Sequence, residues 1–160
     1  MRRALALALL LAACGREAPP PTPAAEVASF RAAGAPIAST TRGTPADLAG
    51  DWVVSAAYPG APLAAGGTAV TVTPGPGPSA VWAFPDQTVA TVLTAPGRYE
   101  GRARLWVLWV DDDFRTAAVG TPDGRFGWIM DRPGSASPDR TEAARRMLQF
   151  NGYDLARLAG

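Results

Sequence analysis

The 160-residue chain contains no histidine, no lysine and one cysteine, Cys14. Each absence removes a class of chemistry. Without an imidazole the relay of a Ser-His-Asp hydrolase cannot be assembled, and without a lysine neither can a Ser-Lys dyad. The serines fall in loops or strand positions with no charged relay partner, so the chain is read as no enzyme. One cysteine permits no intramolecular disulfide, and without His it rules out a His/Cys transition-metal site. The fifteen basic residues are all Arg, against fourteen acidic ones. The formal charge of +1 includes Arg2 and Arg3. No basic stripe interleaved with aromatics appears, which excludes a nucleic-acid partner. The chain length allows one small domain.

What is present starts at the N-terminus, where Arg2 and Arg3 precede the apolar run ALALALLLAA, which ends at Cys14. Charge, short hydrophobic stretch and small residues in that order make a secretory signal, and the run is too short to cross a bilayer. Leu11-Ala12-Ala13-Cys14 resembles the bacterial lipobox. That resemblance implies a signal peptide over residues 1–13 and a lipidated Cys14 that anchors the protein to a membrane. Two or more acyl chains, at roughly 0.8 kcal/mol per buried methylene, anchor stably. Gly15 rather than Asp follows; by resemblance to the sorting rule of enteric bacteria, this implies the bacterial outer membrane, lipid-anchored and facing the periplasm. GREAPPPTPAA then reads as an extended tether. SFRAAGAPIAST, with Phe30 and Ile37, reads as an irregular strap along the domain. Residues 14–43 are therefore lipidated cysteine, tether and strap, and residues 44–160 are the folded domain.

That domain opens with TPADLAG at 44–50, the pattern of one short helical turn. Short runs rich in β-branched and aromatic residues follow: DWVVSAAY, TAVTVT, SAVWAF, TVATVLT, RLWVLWV, RTAAVG and RFGWIM. Gly and Pro divide them at the spacing of an all-β sandwich or barrel. PGPGPS at 74–79 and the Asp run 111–113 read as loops. A helix is predicted only at the C-terminus: Ser137 caps it, Pro138 starts it, and Asn151-Gly152 ends it. Ala143, Ala144, Met147, Leu148 and Phe150 form its apolar stripe, and Arg140, Glu142, Arg145 and Arg146 its solvated face.

Asp111, Asp112 and Asp113 are oxygen donors, but adjacent positions alternate direction in extended chain and no EF-hand spacing surrounds them. They are read as a polar hairpin turn, and no metal site is expected. Trp106 and Trp109 have opposite parity, so the strand 105–110 is apolar on both faces. One face then fills a barrel and the other needs a cover, for which the C-terminal helix is available.

Residues 107–160 resemble the C-terminal third of the bacterial lipocalins, small outer-membrane lipoproteins. The shared features are strand, acidic turn, strand, Gly-Pro-type turn, strand ending in Arg, and a trailing helix. Gly50-Asp51-Trp52 matches the Gly-x-Trp at the family's first strand. Val110-Asp111-Asp112-Asp113-Phe114 falls on the second motif, keeping Asp111 and the aromatic Phe114 but losing its Thr and Tyr. Arg132 matches the Arg that ends the last strand. The resemblance implies an all-β, up-and-down antiparallel lipocalin-like barrel of about eight short strands, with a C-terminal α-helix packed outside. It also implies that Arg132 crosses Trp52 and hydrogen-bonds nearby backbone, closing one end. About eighty residues from Trp52 to Arg132 are few for eight full strands, and RYEGRAR at 98–104 leaves little room for a fifth.

The resemblance further implies a membrane-anchored carrier of a small hydrophobic ligand, such as a fatty acid or lysophospholipid, held by apolar burial. Strand alternation from an inward Trp52 sends Val54, Ala56 and Tyr58 inward as well. Val70, Val72, Trp82, Trp106 and Trp128 are the other candidate wall residues. LAGDWVVS also resembles the opening of the periplasmic barrels that inhibit metalloproteases, although the single cysteine and the trailing helix count against that reading. A structural envelope lipoprotein with a filled core is the third reading.

Overall fold

The structure, a computed structural model, describes residues 29–60 and 63–160. The expected signal peptide, Cys14 and the Pro/Ala-rich tether lie outside the described residues.

Eight antiparallel strands form a closed barrel in which each strand pairs with its sequence neighbour and the last pairs with the first. They are β1 Gly50–Ala57, β2 Ala69–Pro74, β3 Ser79–Phe84, β4 Gln87–Ala95, β5 Arg98–Gly101, β6 Leu105–Val110, β7 Thr116–Gly120 and β8 Gly127–Asp131. The helix α1 spans Pro138–Phe150, and a 3-10 turn follows at Leu155–Arg157. All seven predicted strand runs are present, and RYEGRAR supplies the remaining one as the four-residue β5. The last residue of β5 is Gly101, where a Cβ would run into the Ala90 carbonyl of β4. The predicted turn at 44–50 is a tight turn in which the Asp47 and Leu48 amides donate to the Thr44 carbonyl.

The up-and-down path sorts the connections to two ends. Residues 44–49, 75–78, 96–97 and 111–115 gather at one end with Arg132; residues 58–60, 63–68, 85–86, 102–104 and 121–126 gather at the other. Two apolar cores lie on opposite sides of the barrel wall. The inner one holds Trp52, Val54, Val70, Val72, Trp82, Tyr99, Trp128 and Met130 among others. The outer one holds Ala118 and Ile129 of the wall, Ala144 and Leu148 of α1, Tyr153, Leu158 and Phe30. Burial of that apolar surface at roughly 25 cal/mol per Å² is what holds α1 on the sheet.

β-bulges decide which side chains face which core. In β1 the pairing with β8 shifts between Val54 and Ala56. The inserted residue reverses the alternation. Val54 and Ala57 therefore face inward, while Ala56 and Tyr58, expected inside, belong to the outer core. In β6 a second shift falls between Val107 and Trp109. Leu105, Val107 and Val110 point in, and Trp106, Leu108 and Trp109 point out, which cancels the opposite parity of the two tryptophans. Trp106 is thus not a wall residue of the interior. Its indole donates to Glu100 at 3.0 Å and its ring stacks under Arg98.

Residues 29–40 run along the barrel. Phe30 is buried in the outer core with Ile37 packed against it. The Phe30 amide donates to the Gly124 carbonyl, and the Thr40 amide to the Val107 carbonyl beside the β6 bulge. Arg31 fastens three segments, donating to the carbonyls of Asn151, Pro122 and Ala35.

The helix has the predicted bounds, but its N-cap and two of its face residues differ from expectation. Ser137 stands at the N-cap in extended conformation without a side-chain capping bond. Phe150 is 72% exposed, because at about 100° per residue it points away from the buried Leu148, two residues earlier. Arg140 leaves the solvated face. Its Nε donates to the Thr116 hydroxyl at 3.0 Å and lies 3.8 Å from Asp111, and a second nitrogen donates to the Ser135 carbonyl. The Thr116 hydroxyl in turn donates to the buried Asp131 at 2.5 Å.

Candidate ligand-binding site

One end of the barrel is sealed. Trp52 is fully buried, its indole N–H donating to the Leu48 carbonyl at 2.9 Å. The Arg132 guanidinium lies 3.9 Å above the ring centroid. It donates to the carbonyls of Ala49 at 2.8 Å, Asp51 at 3.3 Å, Asp47 at 3.3 Å and Phe114 at 3.1 Å. One planar cation thereby ties the entry turn, β1 and the β6–β7 turn together, while its face meets the π cloud. Burial lowers the pKa of Arg132, and the nearby Asp51 opposes that shift.

The remaining motif residues form the support of this plug. Gly50 has φ +101°, and a Cβ there would sit 3.1 Å from an Arg132 nitrogen. Glycine is needed on both counts. Asp111 Oδ1 accepts from the amides of Arg115 and Thr116, both at 2.6 Å, and so shapes the β6–β7 turn. Phe114 in that turn takes φ +54°, rare for a side chain of its size, and aims its carbonyl at Arg132. Asp112 pairs with Arg42 and Asp113 with Arg115, so the Asp run is occupied by arginines and amides.

The other end is open. A pocket of about 470 Å³ lies between the start of β4, the β5–β6 loop and the β7–β8 loop. Leu63, Val89, Ala103 and Phe126 give it an apolar floor; Gln87, Arg102, Arg104, Thr121, Asp123 and Arg125 form its rim. The size falls in the range of small-molecule sites. Asp123 lies 3.8 Å from Arg104 and 3.4 Å from Arg125, while Arg102 donates to Gln87 and to the Thr88 carbonyl. Burial raises the pKa of Asp123, but the hydrogen bonds from Thr121 and Arg125 and the two guanidinium charges outweigh it and hold the carboxyl below its ordinary value.

Between plug and mouth the interior is packed with aromatics. Trp82 meets Tyr99 edge-on at 5.4 Å. Trp128 is stacked by Phe126 at 5.7 Å and met edge-on by Phe84 at 5.9 Å. Of the candidate wall residues, Val54, Val70, Val72, Trp82 and Trp128 lie in this interior, each at most 1% exposed, and none lines the mouth pocket. Ala56, Tyr58 and Trp106 lie outside the barrel. The pocket residues that sequence reading missed sit mostly in two loops, GRAR and TPDGRF, with Leu63 from the β1–β2 loop and Gln87 and Val89 from β4. The signal was available: an up-and-down path brings both loops to one end, where their arginines meet.

A family profile described as a lipocalin-like domain matches residues 86–160. No curated protein matches the sequence. Among solved structures, insecticyanin from the tobacco hornworm Manduca sexta is similar with a TM-score of 0.54 at 15% identity, over 78% of this chain and 83% of that one. Apocrustacyanin C1 is similar with a TM-score of 0.52 at 15% identity, over 71% of this chain and 76% of that one. The eight-stranded closed barrel with one C-terminal helix is thus a lipocalin-type fold, and its last five strands and helix lie within the matched lipocalin-like domain.

Proposed function

We propose that this protein is a lipid-anchored bacterial lipocalin of the outer membrane, carrying a small hydrophobic molecule such as a fatty acid or lysophospholipid. The observation that carries the reading is the asymmetry of the barrel: one end is sealed by Trp52 and Arg132, the other opens on an apolar floor of Leu63, Val89, Ala103 and Phe126. A chain of methylenes laid on that floor leaves water by apolar burial alone, and the rim arginines meet an acidic or phosphate head. The reading assigns no catalytic step.

Attachment through Cys14 is supported by the lipobox resemblance and by where the strap begins. Ser29 and Phe30 sit against Gly124 in a mouth loop, so a tether from Cys14 joins the domain at its open end. An anchor there turns the mouth toward the bilayer from which such a ligand comes.

A signal-less Cys14→Ala protein titrated with palmitate or lysophospholipid should show saturable change in tryptophan fluorescence. The packed Trp82, Tyr99 and Trp128 favour one rival, a structural lipoprotein with a filled core. That rival predicts no saturable binding by either lipid.

A further inference from the structure

The tryptophans divide by hydrogen bonding in a way that separates plug from interior. Trp52 at the sealed end donates to Leu48, and Trp106 on the outer face donates to Glu100. Inside the barrel, Trp82 Nε1, Trp128 Nε1 and the Tyr99 hydroxyl are buried with no partner among the described residues. All three side chains are fully buried members of the inner core. An indole N–H can only donate. Burial, with the charge of Asp47 adding to it, pushes the Tyr99 hydroxyl above its ordinary value of 10.0, so it too holds its proton at neutral pH.

Two of these donors, Trp82 and Trp128, adjoin residues that line the mouth pocket, and Tyr99 lies deeper against Trp82. Phe126, which lines the pocket, stacks on Trp128, and Val89, which also lines it, is the cross-strand partner of Trp82. Trp82 in turn touches Tyr99. A molecule that displaces Phe126 from the pocket floor meets Trp128 first. Buried donors left unpaired are costly, and an oxygen brought by a guest removes that penalty. An ionised oxygen does not suit the place, because among the described residues no arginine is buried to offset its desolvation; the guanidinium groups of Arg102, Arg104 and Arg125 stand at the rim.

Resting on the carrier reading, we infer that the barrel's guest bears a neutral carbonyl-type oxygen, as in a ketone, quinone or ester, that accepts a hydrogen bond from at least one of Trp82, Tyr99 and Trp128. Lysophospholipid brings such a group in its ester, whereas an ionised fatty acid brings only a carboxylate. The class is therefore narrower than hydrophobic molecules at large.

The test compares two probes of matched shape, 2-acetylnaphthalene and 2-ethylnaphthalene, on the Cys14→Ala protein and its Trp82→Phe, Tyr99→Phe and Trp128→Phe variants, with palmitate and lysophospholipid alongside. Circular dichroism establishes that each variant is folded. The expected result is a ketone-to-hydrocarbon affinity ratio that falls about three- to tenfold in at least one variant. Tyr99→Phe, which deletes only an unpaired hydroxyl, should keep or raise the melting temperature. A ratio unmoved in all three variants, with lipid still bound saturably, overturns the carbonyl inference alone. Binding of none of the four molecules overturns the carrier reading with it.

Discussion

At the scale of single residues the sealed end is the most specific feature. Trp52 and Arg132 share one contact, and Arg132 additionally gathers four backbone carbonyls. Trp52→Ala should destabilise by about 3 to 5 kcal/mol through the cavity it leaves. Arg132→Ala should cost about 2 kcal/mol or more, since it strips donors from carbonyls at the plug. The double variant should lose less than the sum by about 1 kcal/mol, measured by urea denaturation, because each change already removes the shared contact. Arg132→Lys should rescue only in part, as an ammonium cannot fork to four carbonyls. These residues were legible because the plug demands particular chemistry at particular points: a glycine with positive φ, a large flat ring, a planar cation. Ala56, Tyr58 and Arg140 were not. Nothing in VVSAAY marks the bulge that turns Ala56 outward, and no local pattern shows that Thr116 and Asp111 lie beneath Arg140.

At the scale of elements, strand existence was legible and strand orientation was not. β-branched and aromatic runs between Gly and Pro report pleated segments, but one extra residue at a bulge exchanges their faces. The same limit governs the helix, whose bounds are set by Pro138 and Gly152 and whose buried face is set by the sheet. Leu148→Ala should therefore cost about 2 to 4 kcal/mol, whereas Phe150→Ser, at a 72% exposed site, should stay within about 0.5 kcal/mol. Gly120 carries the element-level constraint least visible in sequence. A Cβ there would lie 2.5 Å from the Tyr153 hydroxyl and 2.9 Å from Leu108, so β7 must be bare where Tyr153 reaches in to bond Thr121 and Phe126. Gly120→Val should lower the melting temperature by more than 5 °C, about 1 kcal/mol or more in a domain of this size. A melting temperature within 1 °C of wild type would contradict that packing.

For the whole molecule, the titratable groups define a simple pH profile. Asp47 is held below its ordinary carboxyl value by hydrogen bonds from Thr44, and Asp123 is lowered by the net effect of its partners. Groups with lowered folded pKa stabilise above their ordinary value, and that contribution disappears as pH falls below about 4. Tyr58, Tyr99 and Tyr153, the protein's three tyrosines, are raised chiefly by burial. Groups with raised folded pKa stabilise below their ordinary value, so stability should fall as pH climbs past about 10 and unfolding frees the phenols to ionise. With no histidine in the chain, the urea midpoint should be flat from about pH 6 to 8. A midpoint that moves across that range would contradict this assignment of charges.

The proposed carrier function requires that the open end of this barrel, and no other surface, take a hydrophobic guest. The most direct measurement is lysophospholipid titration of three Cys14→Ala proteins: the parent, one with Ala103→Trp filling the mouth pocket, and one with Val53→Trp on the outer wall. The prediction is saturable binding by the parent and the Val53→Trp protein, and at least tenfold weaker binding by Ala103→Trp. Equal affinity in all three, or saturable binding by none, would contradict it.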